Sequence, residues 1–231
     1  MSAIAAVLFD MDGVLVESEA LHLRATRAAM GPRGVGFTAR DNRLFSRLPD
    51  PDAFRVLRIL FDLAPSGDEL AGAKRRHLVA LIRTEGRPLP GCPEIPLRLR
   101  GAGIRLGLVS ICGRAVIDAV VAQVGLAGAF ETIVAGDEVA RGAPAPDALL
   151  MAARRLGVEA TRCLVVDDAR DGVLAAKAAG MAAAAVPSSG TVDEDFSPAD
   201  FVLPSLEALP KALDHTVAEA LAGGRAGEGS A

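Results

Sequence analysis

Asp10-Met11-Asp12-Gly13 is the first stretch whose residue types and spacing could do chemistry. Two carboxylates two residues apart can divide labour. One serves as a nucleophile and metal ligand, the other as a general acid/base. Gly13 permits a sharp change of direction that clears room for a substrate. A turn with solvated acids is the competing reading. A calcium loop does not fit: with Asp10 as its first position, Leu15 stands where glycine is needed and Leu21 where glutamate is needed. A second group is Ser110, followed by Gly113 and Arg114 at the start of a helical pattern. A hydroxyl followed by helix N-terminal amides makes a phosphate cradle, or simply a helix cap. Leu108 replaces the first glycine of G-x-S-x-G, so a serine-hydrolase elbow is not supported. The third group is Asp167-Asp168. Adjacent carboxylates repel unless a cation neutralises them, and oxygen donors suit Mg²⁺; a surface turn is the alternative.

Each group ends an apolar run. Residues 4–9 read IAAVLF and stop at Asp10; Ile104 to Val109 stops at Ser110; Cys163 to Val166 stops at Asp167. Short continuous runs suit strands buried on both faces of a parallel sheet. Thr132 to Ala135, Ala182 to Val186 and Phe201 to Leu203 extend the series. Helical patterns lie between them. Ile117, Val120, Val121 and Val124 follow one helix face; Leu149, Ala153 and Leu156 mark a second; Ala175, Ala176 and Ala179 a third, ended by Gly180. Strand–helix alternation from about 88 to 213 predicts a doubly wound α/β layer, which binds ligands beyond the carboxyl ends of its strands. The three polar strand ends therefore converge on one edge, and this convergence carries more weight than any single motif.

Residues 17–86 contain no strand-like run. Leu21, Ala25, Ala28 and Ala29 suggest a helix, Phe54, Leu57, Leu60 and Phe61 another, and Leu70, Ala73, His77 and Leu81 a third. The expected fold class is α/β, a doubly wound, Rossmann-like parallel-sheet core with an inserted all-helical cap. The expected core is 1–16 and 87–215, the cap 17–86, and a Gly-rich flexible tail 216–231.

Composition removes other classes. At 231 residues with 51% apolar content the chain can pack a sizeable core, which argues against a disordered chain or a coiled coil. A net charge of −4 without a basic block, and the lack of Trp and Tyr, argue against nucleic acid as a partner. The longest clean apolar run, Ala3 to Phe9, falls far short of the ~20 residues a membrane span needs. Three cysteines without CxxC spacing argue against a disulfide framework or a zinc site, so the expected location is cytoplasmic.

Four segments, FDMDGVLVESEALH, LVSICGR, RGAPAPDALLMAARRLGV and CLVVDDARDGVLAAKAAGM, in this order, resemble the haloacid dehalogenase superfamily. Within it they are similar to the β-phosphoglucomutase-like phosphatases with a small helical cap. The resemblance covers nearly all of the core and, more loosely, the cap. It implies that Asp10 is the aspartyl nucleophile that becomes phosphorylated. Asp12 matches the general acid/base, whose carbonyl also ligates Mg²⁺. Ser110, with Ile111 beside it, matches the phosphate-binding position. Asp168 matches a direct metal ligand and Asp167 a ligand to metal-bound water. His22 matches a histidine near the core–cap hinge. An acid at position 12 favours phosphoryl transfer over dehalogenation.

Two departures stand out. The family's third motif carries a lysine where this chain has Ala143, and Arg141, two residues back, is the candidate replacement. The cap stretch NRLFSRLPDP lacks the mutases' basic, Gly-rich pattern; Arg43, Arg47, Lys74, Arg75 and Arg76 are candidate contacts for an anionic substrate. The resemblance implies a Mg²⁺-dependent phosphatase of a small, sugar-phosphate-type metabolite, acting through an aspartyl phosphate as a monomer or weak dimer. Two alternatives stay open: a non-catalytic phosphate-binding module, which Ala143 would explain, and a sugar phosphomutase.

Overall fold

The run IAAVLF forms a strand, β1 (Ala6–Phe9), buried along its whole length. The computed structural model describes residues 3–45 and 48–213. After β1 come β2 (Val16–Glu17) and four helices, α1 (Glu19–Met30), α2 (Ala39–Phe45), α3 (Asp50–Leu60) and α4 (Gly67–Glu85). The chain continues through β3 (Arg87–Pro88), α5 (Glu94–Gly101), β4 (Arg105–Ser110), α6 (Arg114–Gln123), β5 (Thr132–Ala135) and α7 (Asp147–Leu156). It closes with β6 (Cys163–Asp167), α8 (Arg170–Ala178), β7 (Ala182–Ala185) and β8 (Phe201–Val202).

Six strands make one parallel sheet in the order β5-β4-β1-β6-β7-β8. β1 lies at its centre, with Phe9 in register with Leu108 of β4 and Val166 of β6. The pleat sends alternate side chains to opposite faces. Val7 and Phe9 pack with Ile95 and Leu99 of α5 and Ile117 and Val120 of α6. Ala6 and Leu8 pack with Leu149 and Leu156 of α7 and Val173 of α8. Helices thus cover both faces, as the apolar strands require. The sheet is the expected doubly wound one, and the three polar strand ends lie on neighbouring strands.

The helical insert carries its own apolar cluster of Met30, Phe37, Phe54, Leu57, Leu63 and Leu70. Ser66 and Glu69 cap α4 reciprocally: Ser66 N–H donates to Glu69 Oε2 at 2.8 Å and Glu69 N–H to Ser66 Oγ at 3.2 Å. The chain leaves and returns through a two-residue antiparallel ribbon, Val16 opposite Pro88 and Glu17 opposite Arg87. Glu17 is therefore in a strand rather than in the helical stretch, because the outgoing and returning chain lie side by side and pair.

The stripes within the insert also shift. α1 buries Leu21, Ala25, Thr26 and Met30, leaving Ala28 exposed. α3 buries Phe54 and Leu57 but exposes Leu60. α4 buries Leu70, Ala71, Lys74, Leu78 and Ile82, while His77 faces solvent. A lysine inside the buried stripe displaces an apolar-only reading by one residue. The expected tail at 216–231 lies outside the described residues, as does Arg47.

Candidate active site

Backbone geometry at the ends of β1 and β6 brings four carboxylates into one cleft of about 860 Å³, lined on one side by the strand ends and on the other by the helical insert. Asp10 continues β1, its N–H donating to the Val166 carbonyl at 2.9 Å. Ligand oxygens of Asp10, Asp167 and Asp168 lie within 4.8 Å of one another. Two glycines make this crowding possible. Gly13 sits at φ +79°, and a Cβ there would collide with the Asp168 carboxylate. A Cβ on Gly172 would collide with the Asp167 carboxylate in the same way.

The electrostatics follow from burial and like charge. Burial pushes the Asp10 carboxyl well above the ordinary range, and the charges of Asp167, Asp168 and Asp12 push it further, against the Met11 amide. Burial lifts Asp167 to about 6, with Asp171 and Glu194 adding to it and the Ala169 N–H, 2.9 Å from Oδ1, opposing. Burial and the Asp167 charge lift Asp168 to about 7. Such a group is costly unless a cation neutralises it. Three converging carboxylates offer hard oxygen donors and no nitrogen or sulfur, so the residues fit Mg²⁺.

Asp12 is in the opposite situation. Its carboxylate accepts from Ser18 Oγ. Cys112 Sγ lies 3.4 Å from its Oδ2 and His22 Nε2 3.4 Å from its Oδ1. Burial alone would raise its proton affinity, but His22, Ser18 and Cys112 outweigh burial and hold the carboxyl below its ordinary value. The His22 contact is an ion-pair distance without hydrogen-bond geometry, so this buried nitrogen has no hydrogen-bond partner. Burial and the Asp12 charge push the Cys112 thiol well up, which makes it a neutral donor to Asp12.

Of the residues expected from sequence, Asp10, Asp12, His22, Ile111, Asp167 and Asp168 line the cleft. Ser110 is buried at the end of β4, just beneath the lining residues Ile111, Cys112 and Gly113, and its Oγ accepts the Cys112 N–H at 3.1 Å. Ala143 is in the cleft wall, but Arg141 is not. Arg141 is exposed and forks onto Asp147, at 3.1 Å and 3.0 Å from its two oxygens, so the structure does not bring it to the carboxylates. The carboxylate six residues along the chain, at the start of α7, holds the guanidinium outside the cleft. Arg43, Lys74 and Arg75 line the cleft from the insert; Arg76 does not.

Several cleft residues escape the sequence reading. Ser18 stands four residues before His22, one helical turn, which was a usable signal. Cys112 gave only its place two residues after Ser110. Glu194, which accepts the Arg170 N–H at 2.7 Å, left no pattern in the sequence; Lys74 was among the expected substrate contacts, but its burial and its pairing with Asp50 inside the insert were not expected. All three cysteines are free. No helix among the described residues is long and apolar enough to cross a membrane.

Comparison with known proteins agrees with this arrangement. The sequence model of the haloacid dehalogenase-like hydrolases matches residues 4–180. The protein CbbY of Rhodobacter capsulatus is 34% identical over 213 residues, 88% of this chain and 94% of that protein. Fructose-1-phosphate phosphatase YqaB of Escherichia coli is 31% identical over 180 residues, 77% of this chain and 93% of that protein. The crystal structure of CbbY from Rhodobacter sphaeroides in complex with phosphate superimposes with a TM-score of 0.82 at 30% identity, covering 91% of this chain and 99% of that one.

Proposed function

Since the chain belongs to the haloacid dehalogenase-like hydrolase family, we propose that it is a Mg²⁺-dependent phosphatase of small sugar-phosphate-type metabolites, working through an aspartyl phosphate on Asp10. One observation carries this reading: two carboxylates two residues apart, at the end of the central strand, sit in contrasting environments within one cleft. Carboxylates driven apart in proton affinity are the mark of a divided nucleophile and acid/base pair. The phosphate complex of one relative and the fructose-1-phosphate phosphatase activity of another support the substrate class.

Asp10, Asp168 and the Asp12 carbonyl would hold the metal, with Asp167 reaching it through water. Bound Mg²⁺ supplies positive charge that keeps Asp10 ionised and offsets the charge of the transferring phosphoryl oxygens. Asp10 attacks phosphorus in line, and Ser110 with the amides that open α6 orients the phosphoryl group. The incoming phosphate ester raises the proton affinity of Asp12, which takes up a proton from solvent as substrate binds and gives it to the leaving oxygen. Asp12 then takes a proton from water, and that water hydrolyses the aspartyl phosphate. Ser18, His22 and Cys112 fix the Asp12 carboxylate for both transfers. The core of 1–16 and 87–215 supplies the chemistry in this reading. The insert of 17–86 supplies Arg43, Lys74 and Arg75 for the rest of the substrate.

The test is a phosphate-release screen over hexose, pentose and hexitol phosphates with and without Mg²⁺. Turnover should require Mg²⁺ and vanish in Asp10→Asn. Phosphate release at an undiminished rate from Asp10→Asn would overturn the aspartyl-phosphate route.

A further inference from the structure

Asp12, His22 and Cys112 do more than surround one carboxylate. Their oxygen, nitrogen and sulfur atoms all lie within 4.8 Å of one another, in a group that shares no side chain with Asp10, Asp167 and Asp168. Cys112 Sγ stands 3.4 Å from Asp12 Oδ2 and His22 Nε2 stands 3.4 Å from Asp12 Oδ1. Zinc bond lengths of about 2.0–2.3 Å at tetrahedral angles place neighbouring ligand atoms roughly 3.3–3.8 Å apart. The ring nitrogen is buried and, although it lies at ion-pair distance from Asp12, makes no hydrogen bond, so a metal would give it a directed bond. All three residues line the cleft, which gives an ion a path in and leaves a further coordination position open to water.

We propose that these three residues form a second metal site, one that takes Zn²⁺ or a similar thiophilic divalent ion. The donor chemistry separates the two sites. Imidazole and thiolate suit zinc and do not attract Mg²⁺, whereas the carboxylate trio suits the harder ion. On binding, a sulfur–metal bond forms, the Cys112 thiol proton leaves to solvent, and no oxidation state changes. The consequence for turnover rests on the phosphatase reading: an Asp12 carboxylate that ligates zinc cannot shuttle protons, so zinc inhibits an enzyme that Mg²⁺ activates.

The test is titration of the Mg²⁺-saturated protein with Co²⁺, a spectroscopic substitute for zinc, and then with Zn²⁺. One equivalent of Co²⁺ should produce a thiolate-to-cobalt charge-transfer band that Zn²⁺ bleaches. Cys112→Ser should lose the band. It should also bind Zn²⁺ more weakly by at least the roughly 10–100-fold that removal of an outer metal-site partner costs. His22→Gln should weaken binding by a similar factor, while Asp10→Asn should keep the band. No band in the unaltered protein, a band that survives Cys112→Ser, or a band lost in Asp10→Asn would overturn the proposal. Phosphate release with Mg²⁺ alone, measured in parallel, separates the two failures. A protein that binds Co²⁺ through Cys112 but turns over nothing keeps the site and loses the phosphatase reading. One that turns over but shows no band does the reverse.

Discussion

At position 143 the cleft wall carries only a methyl group, where the haloacid dehalogenase pattern has a lysine facing the nucleophile. Four carboxylates and a phosphate ester must then share whatever cation binds them. Arg141 does not fill the gap, because Asp147 holds it outside the cleft. Ala143→Lys is therefore expected to raise activity, and mainly kcat, since the ammonium would act on charge that develops at the transferring phosphoryl group. If it is comparable to one oxyanion donor, the gain is ~10²–10³-fold. Arg141→Ala should change kcat/KM less than about twofold, because the residue is exposed and its pairing is local. A large loss in Arg141→Ala with no gain in Ala143→Lys would reverse this assignment. The sequence contains the absence of the lysine but not the fate of Arg141, which depends on an ion pair six residues along. Asp10 and Asp167 were legible because each ends an apolar run, and Asp12 and Asp168 because they stand two residues and one residue beyond. Cys112 was not, because a lone thiol carries no periodicity and only the pairing of β4 with β1 brings it to Asp12; Lys74 was read as a substrate contact, but its pairing with Asp50 inside the insert left no pattern.

Elements place these side chains by close backbone approach, and glycine sets that approach at the start of α8. Gly172 follows Asp167 by five residues, and a Cβ there would occupy the space of the Asp167 carboxylate. Helix propensity predicts that Gly172→Ala stabilises by roughly 0.5–1 kcal/mol. The geometry predicts that the carboxylate must move instead. Mg²⁺ affinity should fall by about 10–100-fold, the cost of disturbing a metal's outer partners, with the melting temperature little changed. Calorimetric Mg²⁺ titration with unchanged affinity would show that Asp167 does not reach the metal's surroundings. At the far edge of the sheet Asp200 ties three elements together. Its carboxylate accepts from Lys177 of α8 at 2.8 Å and from the Ala183 N–H of β7 at 2.8 Å, just before β8 begins. Burial would raise its proton affinity, but Lys177 and the amide hold the carboxyl below its ordinary value. The folded value lies below the unfolded one, so the stabilisation is complete above the unfolded value and is lost as pH falls through the folded one. Asp200→Asn should cost about 0.2–1 kcal/mol at neutral pH, since the pair is solvent-accessible, and the gap from the parent should close in strongly acidic buffer. Equal gaps at both pH values in urea denaturation would refute the linkage. The strands and core helices were legible because burial on both faces leaves unbroken apolar runs. The stripes of α1 and α4 were misplaced because Thr26 and Lys74 occupy buried positions that an apolar count passes over.

For the molecule as a whole, the carboxylate cluster is a tension between stability and function. Asp10, Asp167 and Asp168 hold ligand oxygens within 4.8 Å of one another at the centre of the sheet. Without a cation their repulsion works against the same strand pairing, β1 with β6, that holds the core together. The unfolded chain separates these charges and has no comparable site, so on the proposed function Mg²⁺ is expected to bind the folded state in preference and to raise its stability. At a free concentration of about 100 times Kd the gain is ~2.7 kcal/mol. For a chain of this length each kcal/mol moves the melting temperature by roughly 2–4 °C. Saturating Mg²⁺ should therefore raise the unfolding midpoint by about 5–10 °C relative to chelator. Asp168→Ala removes both a ligand and part of the repulsion. Its metal-free midpoint should equal or exceed that of the parent, while its Mg²⁺-induced shift should largely disappear. That opposite pair of effects is what a site strained by like charge predicts. A variant that loses stability in chelator yet keeps the full Mg²⁺ shift would mean that Asp168 serves the fold and that the ion is held elsewhere.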